Sequence, residues 1–292
     1  MSETHRGWAL PAPAKLNLFL HVLGRRRDGY HELQTVFQFL GHGDTLWFRL
    51  REEGGVVRRY RLPGVSVEDD LIVRAARRLQ QASGTSLGVE IDLDKRLPMG
   101  GGLGGGSSDA ATVLLALNRL WRLDWPLERL AELGLALGAD VPVFVQGHAA
   151  FAEGVGERLT AVRLPERWYL VLAPPVQVDT AAIFRDEELT RNTPAIKISD
   201  FPGVETRNDC QAVVVRRHPE VGEALAWLER EAGQARMTGT GACIFAPFPD
   251  VTAARAVLAR LPAGWSGFVA RGYNRSPTHR RLEDDSWGVA KR

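Results

Sequence analysis

A run of glycines near the middle of the chain constrains the local fold more than any other sequence feature. Six of the seven residues from 100 to 106 are glycine, and Ser107, Ser108 and Asp109 follow them. Each glycine costs a helix or strand interior about 0.5–1 kcal/mol, so the run predicts a loop. The apolar residues after the run recur at helical spacing, which predicts a helix that is capped by Ser107, Ser108 or Asp109.

A glycine loop that opens a helix is typical of an anion site. Glycine leaves the backbone N–H groups unhindered, and the N-terminus of a helix attracts negative charge. The two serine hydroxyls add hydrogen-bond donors, so phosphate is the natural ligand. A flexible linker is the alternative, but a linker does not normally stand between a predicted strand and a strongly apolar helix.

Two known loop patterns narrow the type of phosphate site. Gly100, Gly102 and Gly105 satisfy the dinucleotide pattern G-x-G-x-x-G, but any glycine run does so. Asp124 lies in a turn after the helix, where it makes a poor ribose ligand. The Walker pattern fails because no lysine precedes Ser107. These residues favour a kinase-type phosphate cradle of another kind.

The hydrophobic pattern predicts strands and helices in an irregular order. Strands are expected at 12–23, 32–40, 44–50, 87–93, 148–160, 168–173, 242–248 and 264–271. Helices are expected at 70–83, 110–121, 127–137, 208–216, 220–232 and 250–261. This order indicates an α+β fold rather than a strict βαβ repeat, with a domain boundary near 160–175.

Composition and charge exclude several classes of protein. Of the 292 residues, 45% are apolar and 25% are charged, which is typical of a globular protein. The net charge of +2 gives no sign of a nucleic-acid partner, and much of the basic charge lies in residues 271–292. No apolar run reaches the roughly 18 residues of a membrane span, and no signal peptide is recognisable. Cys210 and Cys243 are too few for a disulfide scaffold, so we expect a cytoplasmic protein.

Seven sequence blocks resemble known motifs. The segments PAKLNL at 13–18, LPMGGGLGGGSSDAA at 97–111 and MTGTGACIF at 237–245 resemble the three motifs of the GHMP kinase superfamily. More narrowly, GYHEL at 29–33, GADVPVF at 138–144, RND at 207–209 and ARGYNRSP at 270–277 resemble the family of 4-diphosphocytidyl-2-C-methyl-D-erythritol kinases. The third motif departs from the usual pattern, because Thr238 and Thr240 stand where serines are common.

The resemblance implies a fold, a reaction and a cofactor. It implies an ATP-binding α+β domain at 1–165 and a second at 166–278, with the active site in the cleft between them. It also implies transfer of the ATP γ-phosphate to the 2-hydroxyl of the cytidylyl methylerythritol substrate. Magnesium is expected to arrive with ATP, and no protein ligand is predicted for it because Mg²⁺ often keeps several waters and uses few protein ligands. The seven histidines show no H-x-x-x-H spacing, which disfavours a zinc site. The basic segment 279–292 lies outside the motifs and is expected to be flexible, and the protein is expected to be a monomer or homodimer.

Lys15 and Asp140 match the catalytic lysine and aspartate of the family. Asp140 would accept the proton of the attacking hydroxyl, and Lys15 would stabilise the carboxylate and the transferring phosphoryl group. Each has an ordinary alternative. An aspartate beside a helix end can be a cap, and a lysine on an edge strand can prevent aggregation.

The remaining candidate residues are implied on the nucleotide side and on the acceptor side. ATP is expected at Lys95, Pro98, Met99, Gly100, Gly101, Gly102, Leu103, Gly104, Gly105, Gly106, Ser107 and Ser108. The acceptor is expected at Asn17, Tyr30, His31, Thr180, Phe184, Gly239 and Gly241. The alternatives are a solvated lysine at 95, core packing for Phe184 and a tight turn for the two glycines. The arginines at 25–27 indicate a solvated turn rather than a diphosphate clamp.

Three other functions are weighed against this hypothesis. The first is another kinase of the same superfamily, acting on mevalonate, homoserine or a sugar. The second is a nicotinamide-dependent oxidoreductase that uses the glycine run as a dinucleotide fingerprint. The third is a nucleic-acid binder that uses the basic tail, which the near-neutral net charge disfavours.

Overall fold

A computed structural model describes residues 7–201, 203–284 and 287. The first half of the chain contains β1 (Trp8–Arg25), β2 (His31–Arg51), β3 (Val56–Arg58), α1 (Leu71–Ser83), β4 (Gly88–Asp94), α2 (Gly105–Leu120), α3 (Leu127–Leu135), α4 (Val141–Gln146), β5 (Ala150–Gly154) and β6 (Arg158–Ala161). The second half contains β7 (Trp168–Ala173), α5 (Thr180–Arg185), a 3₁₀ turn (Ile198–Asp200), α6 (Gln211–Arg217), α7 (Pro219–Ala232), β8 (Arg236–Met237), β9 (Ile244–Phe248), α8 (Val251–Leu258), β10 (Ser266–Tyr273) and α9 (Pro277–Leu282). The predicted α+β class is confirmed.

The strands of both halves join in one sheet. Its order is β3-β4-β2-β10-β7-β9-β8, and β1 and β5 also pair with β2. In this strand order, the two halves of the chain are joined where β10 pairs with β2. That pairing is short and consists of Gly272 with Leu40 and Tyr273 with Phe39. Within the described strands, β3–β4 is the one parallel pair and the other ladders are antiparallel. Such a sheet fits helices segregated to its faces rather than a repeating βαβ unit.

Two large hydrophobic cores lie on different parts of this sheet. The first is built by α1 to α4 against β1, β2 and β4, and the second by α6, α7 and α8 against β7 and β9. Leu20 and Val22, near the end of β1, pack in the second core. Strand β1 contributes to both cores, and the domain division at residue 165 stays a prediction.

The C-terminal segment returns to the first half of the chain. Helix α9 packs against β1 and buries Thr278 and His279. The indole of Trp287 is buried and donates to the carbonyl of Ala9 at 2.8 Å. The tail was expected to be flexible from residue 279. Its described residues 279–284 and 287 are placed against this half, and 285, 286 and 288–292 lie outside the described residues.

The structure corrects several predicted element boundaries. The expected strands 32–40 and 44–50 form one continuous strand, β2, and the expected strand 148–160 is two strands, β5 and β6. The cap predicted for α2 is wrong. The position before the helix is taken by Gly104 with a φ of 72°, and no side chain caps the helix. Ser108 and Asp109 lie one turn inside it, so their side chains are buried instead.

The helix α1 agrees closely with its sequence signals. Asp70 accepts a hydrogen bond from the N–H of Ile72, and Gly84 ends the helix with a φ of 69°. In the described part of the chain, no helix combines the length and apolar character that crossing a bilayer requires.

Candidate active site

Alternate glycines of the loop between β4 and α2 have a left-handed backbone conformation. Gly100, Gly102 and Gly104 have φ angles of 70°, 74° and 72°, a region that side chains other than glycine rarely adopt. A Cβ at Gly102 would lie 2.2 Å from the carbonyl oxygen of Thr238. Glycine is therefore required there because the loop passes directly against the turn before β9.

Backbone hydrogen bonds fix the loop from two sides. The N–H of Lys15 donates to the carbonyl of Leu103 at 3.0 Å, and the N–H of Cys243 donates to the carbonyl of Gly101 at 3.1 Å. The first bond comes from β1 and the second from the start of β9. The loop thus lies where the two halves of the molecule meet, with the N-terminus of α2 at its end.

A cavity of about 390 Å³ lies on the other side of the loop. It is lined by Lys95, Asp109 and residues 98–107, together with Leu62, Val65, Asp69, Asp70, Leu71 and Ile72. Every residue predicted for the nucleotide side lines this cavity except Ser108. The Ser108 side chain is fully buried, and its hydroxyl has no hydrogen-bond partner among the described residues.

A buried ion cluster supports the base of the loop. The ammonium of Lys95 lies 2.5 Å from Asp44 and 2.9 Å from Asp109, so Lys95 is an ion-paired residue rather than a freely solvated one. Burial raises the pKa of Asp109 to about 7, although the Lys95 charge opposes the shift. Burial also disfavours the Lys95 ammonium, but the carboxylates of Asp109 and Asp44 outweigh it and raise its pKa. The second oxygen of Asp109, Oδ1, has no hydrogen-bond partner in the part of the chain that the structure describes.

Lys15 and Asp140 meet on the β1 side of the loop. The Lys15 ammonium is buried and lies 3.3 Å from Oδ2 of Asp140, whose side chain is 32% exposed. It also donates to the side chain of Asn17 and, at 3.0 Å, to the carbonyl of Gly102. Asp140 precedes α4, but its side chain makes no capping bond to that helix. The capping alternative is therefore wrong for Asp140, and burial on β1 removes the edge-strand alternative for Lys15.

A second glycine turn completes this side of the site. The N–H of Asn17 donates to the Thr238 hydroxyl at 2.9 Å, and Gly239 and Gly241 have φ angles of 56° and 83°. The Asn208 amide donates to the carbonyls of Met237 and Gly239, both at 2.8 Å. Asn208 therefore holds the turn in place. Sequence reasoning quoted its RND block but gave this residue no role.

The other acceptor-side residues are brought together by α5. Thr180, its first residue, shares a 2.8 Å hydrogen bond with the hydroxyl of Thr240 in the glycine turn. Phe184, one turn later, stacks on His31 with ring centroids 5.0 Å apart and planes 24° apart. One helical turn is about 5.4 Å, so α5 connects the glycine turn to the aromatic pair. Tyr30, beside the pair in sequence, is 63% exposed.

The imidazole of His31 has a fixed partner that sequence reasoning missed. Arg191 donates from Nε to Nε2 of His31 at 3.1 Å, and it also donates to the carbonyls of Phe184 and Asp186. Burial lowers the pKa of His31, and the charges of Arg191 and Arg25 lower it further. His31 is therefore neutral near pH 7 and presents a stacking face. No motif marked Arg191, which lies between α5 and the 3₁₀ turn.

Several predicted features have a plain structural outcome. Arg26 pairs with Asp28 and Glu32 in an exposed turn. Both cysteines are free and buried, and burial raises the pKa of each thiol to about 12.

No three His, Cys, Asp or Glu side chains of the described residues are grouped to hold a metal ion. Strand β5, the first strand after the glycine run and α2, pairs antiparallel with β2 and β6 rather than parallel with β4, so the dinucleotide fingerprint lacks its parallel βαβ context.

Comparison with known proteins assigns the fold to one class. Residues 70–148 match the family model described as the GHMP kinases N terminal domain, and residues 198–267 match the GHMP kinases C terminal model. A crystal structure of mevalonate kinase from Methanococcus jannaschii aligns with a TM-score of 0.64 over 93% of this chain and all of that chain. At 13% identity it shows the fold alone. The chain has the fold of the GHMP kinases.

More similar proteins identify the family within that class. A 4-diphosphocytidyl-2-C-methyl-D-erythritol kinase of Pseudomonas paraeruginosa is 62% identical over 94% of this chain and 97% of its own length. The enzyme of the same name from Halorhodospira halophila is 58% identical over 95% of this chain and 97% of its own. A crystal structure of 4-(cytidine 5'-diphospho)-2C-methyl-D-erythritol kinase is 34% identical, with a TM-score of 0.79 over 90% of this chain and 98% of that chain. The chain belongs to the 4-diphosphocytidyl-2-C-methyl-D-erythritol kinase family.

Proposed function

We propose that this protein transfers the γ-phosphate of ATP to the 2-hydroxyl of 4-diphosphocytidyl-2-C-methyl-D-erythritol. The products are the 2-phosphate and ADP, in the non-mevalonate route to isoprenoid precursors. The observation that carries the proposal is the Lys15–Asp140 pair, 3.3 Å apart, which touches the glycine loop through Gly102 and the acceptor side through Asn17. This pair stands between the two substrates that such a transfer must bring together.

The nucleotide side of the site fits ATP. The loop lines a cavity at the N-terminus of α2, where backbone N–H groups and the helix dipole favour a phosphate. Magnesium bound with the nucleotide would neutralise phosphate charge. Ser108 Oγ and Asp109 Oδ1 are buried oxygens with no hydrogen-bond partner, and oxygen is the ligand type that Mg²⁺ prefers. These two residues are the proposed protein contacts for the metal.

The reaction needs one proton acceptor and one positive charge near the attacking hydroxyl. The hydroxyl oxygen forms a bond to the γ-phosphorus while the bond from that phosphorus to the bridging oxygen of ADP breaks. Asp140 orients the hydroxyl and takes its proton. Lys15 holds the Asp140 carboxylate and offsets negative charge on the transferring group. Its remaining bonds to Asn17 and Gly102 keep the ammonium in one place.

The acceptor's cytosine would be held by the aromatic residues near α5. The neutral His31 and Phe184 form a stack, and an unpaired base binds such groups by stacking and by hydrogen bonds to its edge. Thr180 and Thr240 offer hydroxyls between this stack and the Lys15–Asp140 pair. This arrangement favours a nucleotide-bearing alcohol over mevalonate, homoserine or galactose.

We also propose a cytoplasmic enzyme that acts on small molecules rather than nucleic acid, as a monomer or homodimer. The two buried free thiols are compatible with a reducing compartment.

A coupled assay for ADP release tests the acceptor assignment. The enzyme is given Mg-ATP with the cytidylyl methylerythritol compound, mevalonate, homoserine or galactose at equal concentration. We expect turnover with the cytidylyl compound alone. Turnover with another of these alcohols would retain the kinase fold and overturn the proposed acceptor.

A further inference from the structure

A second and larger cavity lies away from the glycine loop. Its volume is about 600 Å³, and it opens between β1, β7, β9 and the segments 162–167 and 198–201. None of the residues proposed for ATP or the acceptor lines it. The proposed chemistry therefore leaves this space without a use.

Three arginines line this cavity without an anionic partner. Arg163 and Arg167 are exposed at its rim, and Arg236 is half-buried at its base. None of the three forms an ion pair with a carboxylate of the described residues, and no Asp or Glu is among the described residues that line the cavity. The cavity therefore presents three guanidinium groups, one of them half-buried, that no carboxylate of the described residues neutralises, and such groups bind anions by charge-assisted hydrogen bonds.

The position of Arg236 is fixed by backbone contacts. It donates to the carbonyl of Leu18 and, at 2.7 Å, to the carbonyl of Thr206. Burial lowers the pKa of Arg236, and no neighbouring carboxylate offsets that effect. The guanidinium is thus held in place at the cavity base with its charge uncompensated.

The rest of the lining is apolar or neutral. Leu18, Val162, Phe201 and Phe245 provide aliphatic and aromatic surface. The buried Gln38 and Tyr169 satisfy each other, because the Tyr169 hydroxyl donates to Gln38 Oε1 at 2.7 Å. A ligand that fills this space needs an apolar body as well as a negative head group. Small-molecule pockets commonly combine a mostly apolar lining with a few polar groups in this way.

We propose that this cavity is a binding site for an amphipathic organic anion, a molecule with an aromatic or aliphatic body and a carboxylate, sulfonate or phosphate head. The head group pairs with Arg163, Arg167 and Arg236, and the body packs on Phe201 and Phe245. The site is separate from the active site, but it shares two strands with it. Leu18 follows Asn17 on β1, and Arg236 lies two residues before Thr238.

Fluorescence titration with anilinonaphthalene sulfonate tests this site. The dye is an aromatic sulfonate whose emission rises in an apolar pocket, and MgADP with CDP is present to occupy the nucleotide sites. We expect the double variant Arg163→Met/Arg167→Met to raise the dissociation constant at least about tenfold, since two charge-assisted contacts are lost. Methionine keeps an apolar stem, so the cavity wall is preserved. Arg78→Met on the exposed face of α1 is the matched control and should bind like the parent.

Two further measurements distinguish dye binding in this cavity from dye binding at any other apolar surface. Ile198→Glu places a negative charge at the exposed rim and should also weaken dye binding at least about tenfold. Octanoate should displace the dye, and octan-1-ol at the same concentration should not, because only the former has the anionic head. Dye binding that is equal in the parent, the double variant and Ile198→Glu would overturn the proposal. Equal displacement by octanol would also overturn it.

Discussion

The ammonium of Lys15 and the carboxylate of Asp140 lie 3.3 Å apart although 124 residues separate them in sequence (140 − 15 − 1). Lys15 comes from β1, and Asp140 comes from the residue before α4. Packing of α2 against both β1 and α4 brings them together. Three features of the pair fit an ion pair at a reacting centre: the lysine is buried, the aspartate is partly exposed, and the lysine also bonds the glycine loop at Gly102.

Loss of the Lys15 ammonium should abolish turnover and leave nucleotide binding intact. Lys15→Ala removes the positive charge beside Asp140, but its N–H still donates to Leu103 and holds the loop. We expect kcat to fall at least about 100-fold. Steady-state kinetics and calorimetric titration with an ATP analogue measure the two effects. Lys197→Ala, at an exposed lysine, is the control and should leave both unchanged. Near-normal turnover in Lys15→Ala would remove its proposed role.

A single methyl group at Gly102 should damage the nucleotide site. Gly102→Ala places a Cβ 2.2 Å from the Thr238 carbonyl in a backbone conformation that only glycine adopts easily, so the loop must move. We expect the dissociation constant for the ATP analogue to rise at least about tenfold, with a loss of stability of about 1–3 kcal/mol. Gly233→Ala, at the left-handed residue that ends α7 with open space around the added Cβ, is the control and should bind the analogue like the parent. Equal affinities in the two variants would show that the loop backbone does not hold the nucleotide.

The aromatic stack should control acceptor affinity more than chemistry. Phe184→Ala removes the ring that stacks on His31. This ring lies one helical turn along α5 from Thr180, so the Thr180–Thr240 hydrogen bond is kept. We expect KM for the cytidylyl acceptor to rise about tenfold, since stacking on a base is worth about 1–3 kcal/mol, while kcat changes little. Phe268→Ala breaks the stack of Phe268 on His42, which lies elsewhere in the fold, and serves as control. An unchanged KM in Phe184→Ala would place the base at another site.

The buried His279 should make the protein less stable in mild acid. Its pKa is lowered to about 4, first by burial and then by the charge of Arg275, from an ordinary value of 6.5. The unfolded chain therefore binds the proton first, and this contribution to stability is lost as pH falls from about 6.5 toward 4. Between pH 7.5 and 5 the loss is about 2 kcal/mol.

Urea unfolding at the two pH values measures this loss. His279→Gln should reduce the difference in unfolding free energy between pH 7.5 and pH 5 by about 2 kcal/mol. The matched variant His218→Gln, between α6 and α7, should leave the difference as in the parent. The same acid sensitivity in His279→Gln and the parent would show that another group is responsible.

Local sequence signals were sufficient for the elements that carry clear caps and periodicity. Asp70 and Gly84 mark the two ends of α1 in the sequence, and they cap it in the structure. The glycine run predicted a loop before a helix, and the loop is there. The predicted caps of α2 failed because Gly104 occupies the position before the helix, which left Ser108 and Asp109 one turn inside it.

Residues that act across long sequence separations were harder to predict. Arg191 holds His31 from 160 residues away, and its surroundings carry no motif. Asn208 supports the turn at Gly239, and only its short RND block marked the region. Asp44 joins Lys95 and Asp109 in one cluster through strand pairing, since β2 meets β4 in the sheet. Periodicity reports which face of an element is buried but not which distant element covers it.

A single-turnover measurement on Asp140→Asn tests the central claim most directly. The substitution keeps the size of the side chain and removes its capacity to take a proton and to pair with Lys15. Enzyme in excess is mixed with γ-labelled Mg-ATP and the cytidylyl acceptor. The reaction is quenched at set times, and the label in the phosphorylated acceptor is counted. We predict that phosphoryl transfer slows at least about 100-fold while the affinity for the ATP analogue stays within about twofold of the parent. A transfer rate close to that of the parent would contradict the role of the Lys15–Asp140 pair.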